Sequence, residues 1–194
     1  FTVAMPHPLG PVLAVQLMDR VKAKAPRISL TFNTRSRPID LQQSILDGLV
    51  DLSVDWLPVS HADLDEEALF DEELALVARK GHPALGKART RKAIATSWPL
   101  VTLRPRLEGP FHPVLDIRQW QKLSPVIALE VSEFLEVLLV ARQSDLVGVA
   151  LRSLAEAARV IPGIEILDVS PRPEPFPICM AWRASHTADK AQQF

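Results

Sequence analysis

Read for the spacing of its hydrophobic positions, the chain alternates short apolar runs with longer runs of helical period. Phe1–Met5 is apolar at nearly every position, the pattern of a strand buried on both faces. Between Leu9 and Ala23 the apolar residues Leu9, Val12, Leu13, Leu17 and Val21 recur at helical spacing, and Pro8 or Pro11 suits a first helical turn. Ala25-Pro26 ends that helix, because the residue before a proline avoids the α region. Ile28–Phe32 alternates on Ile28, Leu30 and Phe32 as a half-buried strand. Asp40 with Gln43 is a capping-box pattern opening a helix through Leu46, and Asp47-Gly48 stops it. Val50–Trp56 returns to strand, and Leu69–Arg79 supplies one or two more extended segments.

The motif then restarts. Leu100–Leu103 reads as a strand, Pro113–Leu123 as a helix on Val114, Ile117, Trp120 and Leu123, and Val126–Val131 as a strand. Ser132 is placed to cap a helix over Phe134–Arg142, Leu146–Ala150 is a strand, and Ser153 with Glu156 predicts a capping box over Ser153–Arg159. Glu165–Val169 and Pro177–Arg183 are strands, and a helix starts near Ala188. Strand–helix alternation with short links is the signature of a parallel sheet covered by helices. Two consecutive α/β units follow, with the join near Lys80–His82 and a second crossing in the proline-rich run Pro171–Pro177.

Composition narrows the function. The 194 residues are 47% hydrophobic and 23% charged, which excludes a disordered or fibrous chain. One cysteine, Cys179, excludes an internal disulfide framework and a cysteine-rich metal cluster, is compatible with a reducing cytoplasm, and reads as a small buried hydrophobe. A net charge of −1 leaves no concentrated basic face for nucleic acid, and the basic stretch Lys87–Lys92 is explained by solvated positions. The longest apolar stretches are broken by Gln16, Arg142 and Asp145, so no membrane span is expected. The abrupt start on a core strand, without an initiator methionine, reads as a piece of a longer protein.

Enzyme motifs are missing from the sequence: no G-x-S-x-G, Walker loop, G-x-G-x-x-G or H-E-x-x-H occurs. His7, His82 and His112 each precede a proline in loop-like context, without ligand-spaced partners for a metal, and neither metal nor cofactor is expected. Two features stand out. One is the first strand-to-helix junction, Met5-Pro6-His7-Pro8-Leu9-Gly10, because ligands of open α/β sheets sit beyond the carboxyl ends of strands, near helix N-termini. A rigid turn explains the same residues equally well. The other is a set of strand-end residues, Trp56, Arg104, Phe111, His112, Ser132, Phe134 and Trp182, each individually as consistent with core as with a site. If the two halves face each other, these ends converge on one cleft suited to a small aromatic or carboxylate ligand.

Several segments, in order and spacing, resemble the effector-binding (regulatory) domain of LysR-type transcriptional regulators over essentially the whole chain. They are the opening F-T-V-A-M, A-P-R-I-S-L at 25–30, L-D-G-L-V-D-L at 46–52, V-A-R-K-G-H-P at 77–83, and S-D-L-V-G-V-A at 144–150. The opening and I-C-M-A-W-R near the end look most like the branch that senses aromatic compounds. The resemblance implies an α/β fold of two Rossmann-like subdomains, periplasmic-binding-protein-like (type 2), joined by two crossing segments. Subdomain I would take 1–79 and 164–194, and subdomain II 80–163. DNA binding would belong to an N-terminal winged helix-turn-helix outside this chain.

Carried over residue by residue, the family's effector contacts fall on Pro6, His7 and Pro8, on Arg104, Phe111 and His112, on Ser132, Glu133 and Phe134, and on Trp182. Where many members place Ser or Thr after the first strand, this chain has Pro6, which offers neither hydroxyl nor N–H; His7 or Arg104 would then have to meet a carboxylate. The implied partners are a small effector, aromatic or phenolic, and a second copy of the chain. The homodimer would be antiparallel through Leu9–Lys24 and Phe134–Arg142, with a homotetramer for the full-length protein, in the cytoplasm and away from membranes. The alternative is a periplasmic-type solute-binding protein for a small organic anion.

Overall fold

A computed structural model describes residues 1–35, 41–56, 59–85, 90–104, 125–158 and 162–186. The chain divides into two compact units, Phe1–Asp71 with Pro177–Phe194, and Glu72–Phe176, each built on its own five-stranded sheet.

The first unit contains β1 (Thr2–Pro6), α1 (Leu9–Lys24), β2 (Thr31–Arg35), α2 (Leu41–Leu46), β3 (Leu52–Asp55), most of β4 (Leu64–Glu72) and β10 (Phe176–Arg183). Its strand order is β2-β1-β3-β10-β4. β1 pairs in parallel with β2 and β3, whereas β10 runs antiparallel to β3, so the sheet is mixed where uniform alternation predicts a parallel one. Val3, Ala4 and Met5 are buried, as expected for a central strand flanked on both sides. β2 starts three residues later than the alternation of Ile28, Leu30 and Phe32 predicts. Its pairing with β1 sets Thr31 opposite Thr2, and the Ile28 N–H is spent on the carbonyl of Ala25 in the turn after α1. Asp40 and its capping role lie outside the described residues. Gln43 donates its side-chain amide to Asp47, and Gly48 ends the segment at φ +70°, a conformation glycine adopts without a Cβ clash.

The second unit contains β5 (Leu74–Arg79), α3 (Arg91–Ser97), β6 (Leu100–Leu103), β7 (Ile127–Val131), α4 (Phe134–Gln143), β8 (Val147–Leu151), α5 (Arg152–Ala157) and β9 (Ile164–Ile166), in the sheet order β7-β6-β8-β5-β9. β6 pairs in parallel with β7 and β8, while β5 is antiparallel to β8 and β9. Because β5 and β9 hydrogen-bond within this sheet, the units divide at 71/72 and 176/177 rather than at the expected 79/80 and 163/164. Leu76, Leu100, Val147 and Ile94 make the core, and Thr90 caps α3 by accepting from the Ala93 N–H. The expected helices at Pro113–Leu123 and near Ala188 lie outside the described residues.

Two expected caps are replaced. α4 is capped at Glu133 rather than Ser132: the Glu136 carboxylate reaches back to the N–H groups of Ser132 and Glu133, at 2.8 and 2.9 Å. α5 starts from Leu151, and the Ser153 hydroxyl donates to the carboxylate of Glu72 instead of capping. Glu72 is buried at 4% exposure, and it also takes the N–H groups of Glu73 and Ser153. A buried carboxylate needs those donors far more than a helix end open to water does. Beside it, Arg152 pairs with Glu73 and Glu156.

Candidate functional site

In the first unit the candidate loop follows β1 directly. Pro6 is the last strand residue, half-buried; His7 and Pro8 form the turn, His7 half-buried and Pro8 buried. Pro8 occupies the cap position of α1 and, having no side-chain oxygen, leaves the first turn without a side-chain cap or an acidic residue. The N–H groups of Leu9 and Gly10 therefore carry the positive end of a 16-residue helix beside His7. Pro6 lacks a donor, yet the helix behind it supplies the electrostatics suited to an anion. Extending the β1–β3 register past Val3–Leu52 and Ala4–Ser53 brings Trp56, buried, level with His7. Asp55, the residue before it, was not singled out in the sequence; only the strand pairing shows that it ends β3 on the same edge.

Trp182 does not join them. In the antiparallel pair Trp182 lies opposite Leu52 and Cys179 opposite Asp55, so Trp182 sits toward the start of β3, roughly 13 Å along the strand from the level of His7 and Trp56 at about 3.3 Å per residue. Cys179, half-buried rather than fully buried, is the residue of β10 level with Asp55, toward the end of the sheet where His7 lies. Its thiol is held above its ordinary pKa by partial burial first, then by the negative charge of Glu66 and the hydrogen bond it donates there. A thiol kept protonated is a poor nucleophile.

In the second unit, parallel pairing of β6 and β7 sets Leu103 opposite Val131, and the Arg104 N–H donates to the Val131 carbonyl at 2.8 Å. Arg104 is thereby brought beside Ser132, Glu133 and Phe134. Arg104 and Ser132 are exposed, Glu133 is half-buried, and Phe134 is buried at 4% exposure, pointing its ring to the core. The N-terminus of α4, unlike that of α1, is already occupied by its own carboxylates. This edge thus offers one exposed guanidinium, a hydroxyl and carboxylate acceptors, a set able to receive a phenolic O–H as well as an anion. Phe111 and His112 lie outside the described residues.

His82 is fixed structurally. It is buried, its Nδ1 accepts from the Ala84 N–H at 3.0 Å, its Nε2 lies 3.2 Å from the Asp145 carbonyl, and its ring meets Trp98 edge-on at 4.7 Å. Among the described residues no three His, Cys, Asp or Glu side chains gather to hold a metal, and no helix is long and apolar enough to cross a membrane.

The model of the LysR substrate binding domain family matches residues 1–194. No curated protein is significantly similar in sequence. Among solved structures, the regulatory domain of MexT, a transcriptional activator in Pseudomonas aeruginosa, superposes with TM-score 0.75 at 18% identity, covering all of this chain and 92% of that one. Full-length OxyR C199D from the same organism gives TM-score 0.80 at 22% identity, with this chain spanning 64% of its length. The CcmR regulatory domain of Synechocystis PCC6803, solved in complex with 2-PG, gives TM-score 0.76 at 16% identity over 100% of this chain and 91% of that chain.

Proposed function

The chain belongs to the LysR substrate binding domain family, a family of transcriptional regulators rather than enzymes, and from that premise we propose that it senses a small aromatic or phenolic effector. The arrangement that carries the reading is the β6–β7 edge, where Arg104 stands beside Ser132 and the carboxylates of Glu133 and Glu136. The uncapped start of α1 beside His7 supports it from the first unit. The solute-binding alternative is not favoured, since the match is to a regulator family and the structural neighbours are regulatory domains. DNA contact belongs, in this proposal, to a separate N-terminal domain of a longer cytoplasmic protein. The effector works by binding one conformation of that regulator more tightly than another.

A thermal-shift panel of aromatic acids, phenols, nitro- and chloroaromatics, with aliphatic acids as controls, tests the effector class. A ligand at 100 times its dissociation constant adds about 2.7 kcal/mol of stability. Aromatic compounds are expected to shift the melting temperature selectively. Arg104→Ala is expected to weaken aromatic acids about tenfold, roughly the worth of one charge-assisted hydrogen bond at an exposed site, and to spare neutral phenols. Equal response to aliphatic acids, or silence across the panel, refutes aromatic sensing.

The same proposal pairs two copies, α1 of one against α4 of the other, with a tetramer in the full-length regulator. Leu135 and Leu139, one turn apart on α4 and each 41% exposed, and Val15 on α1 at 69% supply the apolar surface that such a contact would cover. Light scattering is expected to give a dimer for the unsubstituted chain and a monomer for Leu139→Glu. A monomer without any substitution overturns the pairing.

A further inference from the structure

We propose that the first unit carries a second ligand site, at the far end of its sheet from His7, for a small monocarboxylate with an apolar body. β10 ends at Arg183, and the chain turns through Ala184–His186. The Ala184 N–H donates to the Asp63 carbonyl at 2.9 Å, which ties this turn to the residue before β4. Leu46, the last residue of α2, closes the opposite wall and packs on the core made by Ala4, Ile45, Val50, Leu64 and Ala181. Leu46, Asp63, Arg183, Ala184 and Ser185 together line a cavity of about 320 Å³, the size at which small-ligand pockets begin. Arg183 lies one residue beyond Trp182, whose partner is Leu52, so the cavity is at the edge where β3 starts, while His7 is at the edge where β3 ends.

The chemistry of the lining selects the ligand. Arg183 is half-buried and has no hydrogen-bonded or ionic partner among the described residues. A guanidinium partly withdrawn from water and in no ion pair among the described residues favours a carboxylate, which its planar fork can take with two parallel bonds. Ser185 adds a hydroxyl, while Leu46 and Ala184 offer an apolar floor to the rest of the molecule. The Asp63 carboxylate, 76% exposed and 3.9 Å from His61, stands at the rim and opposes a second negative charge. One anionic group is accepted and two are not.

The test is nuclear magnetic resonance titration of the isotopically labelled chain with benzoate, benzamide and phthalate, read amide by amide. The amides of Asp63, Ala184 and Ser185 report this cavity; those of His7, Arg104 and Ser132 report the candidate effector-binding residues. Benzoate is expected to shift the first group saturably, and benzamide and phthalate are not. Arg183→Gln is expected to weaken the benzoate response at least tenfold, Arg183→Lys to restore part of it, and Asp63→Asn to admit phthalate. If Arg183→Gln does not fold, Ser185→Trp, which fills the cavity from an exposed position, is read the same way. Shifts at the first group that fail to saturate, or that survive these substitutions unchanged, overturn the proposal whatever the second group does.

Discussion

Phe134→Ala is expected to cost about 3–5 kcal/mol of stability, the range for truncating a buried phenylalanine, and to lower the melting temperature by roughly ten degrees or more. Phe134 opens α4 next to the candidate turn, which makes it look like a wall of a ligand site, but it is only 4% exposed. The same helix buries Val137, Leu138 and Ala141 almost completely. Removing the ring leaves a void under the first turn, and the neighbouring strands relax into it only in part. A lost effector response in Phe134→Ala would therefore report the loss of folded protein. The exposed Arg104 is the residue whose removal tests binding without disturbing the core. Equilibrium denaturation decides the matter: a loss below about 1 kcal/mol would mean that the ring is not embedded and would return Phe134 to the ligand site.

Gly148 carries the other large effect. It lies within β8, where α4 comes down on the sheet, and a Cβ built there would stand 2.8 Å from Val137 Cγ1, 2.8 Å from Val77 Cγ2 and 3.2 Å from Ala141 Cβ. Two of the three neighbours are β-branched and stiff at χ1, so they cannot swing aside cheaply. Gly148→Ala is expected to destabilise by about 2 kcal/mol and Gly148→Val by about 3 kcal/mol, as for overpacked cores generally. In the double variant Val137→Ala/Gly148→Ala the losses should fall well short of additive, because each substitution relieves the other. Unchanged stability in Gly148→Ala would show that helix and strand are not in this close contact.

The elements best legible in the sequence are those buried on both faces. Phe1–Met5, Leu100–Leu103 and Leu146–Ala150 lie within a residue of β1, β6 and β8, because uniform apolar content needs no partner to be recognised. Where a distant residue decides, local pattern misleads. The start of β2 is set by β1, and the expected cap at Ser153 is lost to Glu72, 81 positions away. Strand direction is equally invisible to periodicity. Pro6, His7, Arg104 and Ser132 lie at the carboxyl ends of parallel strands, where the order of elements in the sequence places them, whereas Trp182 sits on an antiparallel strand that reverses which end of the sheet it occupies. The burial of Phe134, and the lack of a partner for Arg183 among the described residues, belong to packing, which residue types alone do not reveal.

β10 sits between β3 and β4 in the first sheet, although it comes from the end of the described chain. On the ribosome this gives the two units different schedules. Residues 72–176 emerge as one continuous stretch and hold all five strands of their sheet, so that unit can close as soon as it is released. The unit that begins the chain must wait, with β3 and β4 separated and their inner edges unsatisfied, until Arg183 has been made. Its pairing of Leu52 with Trp182 closes a loop of more than a hundred residues, a contact of long sequence separation and slow formation. Of the two units, the one that starts earlier in the chain is thus the one completed later, and its exposed strand edges are where a chaperone would be needed.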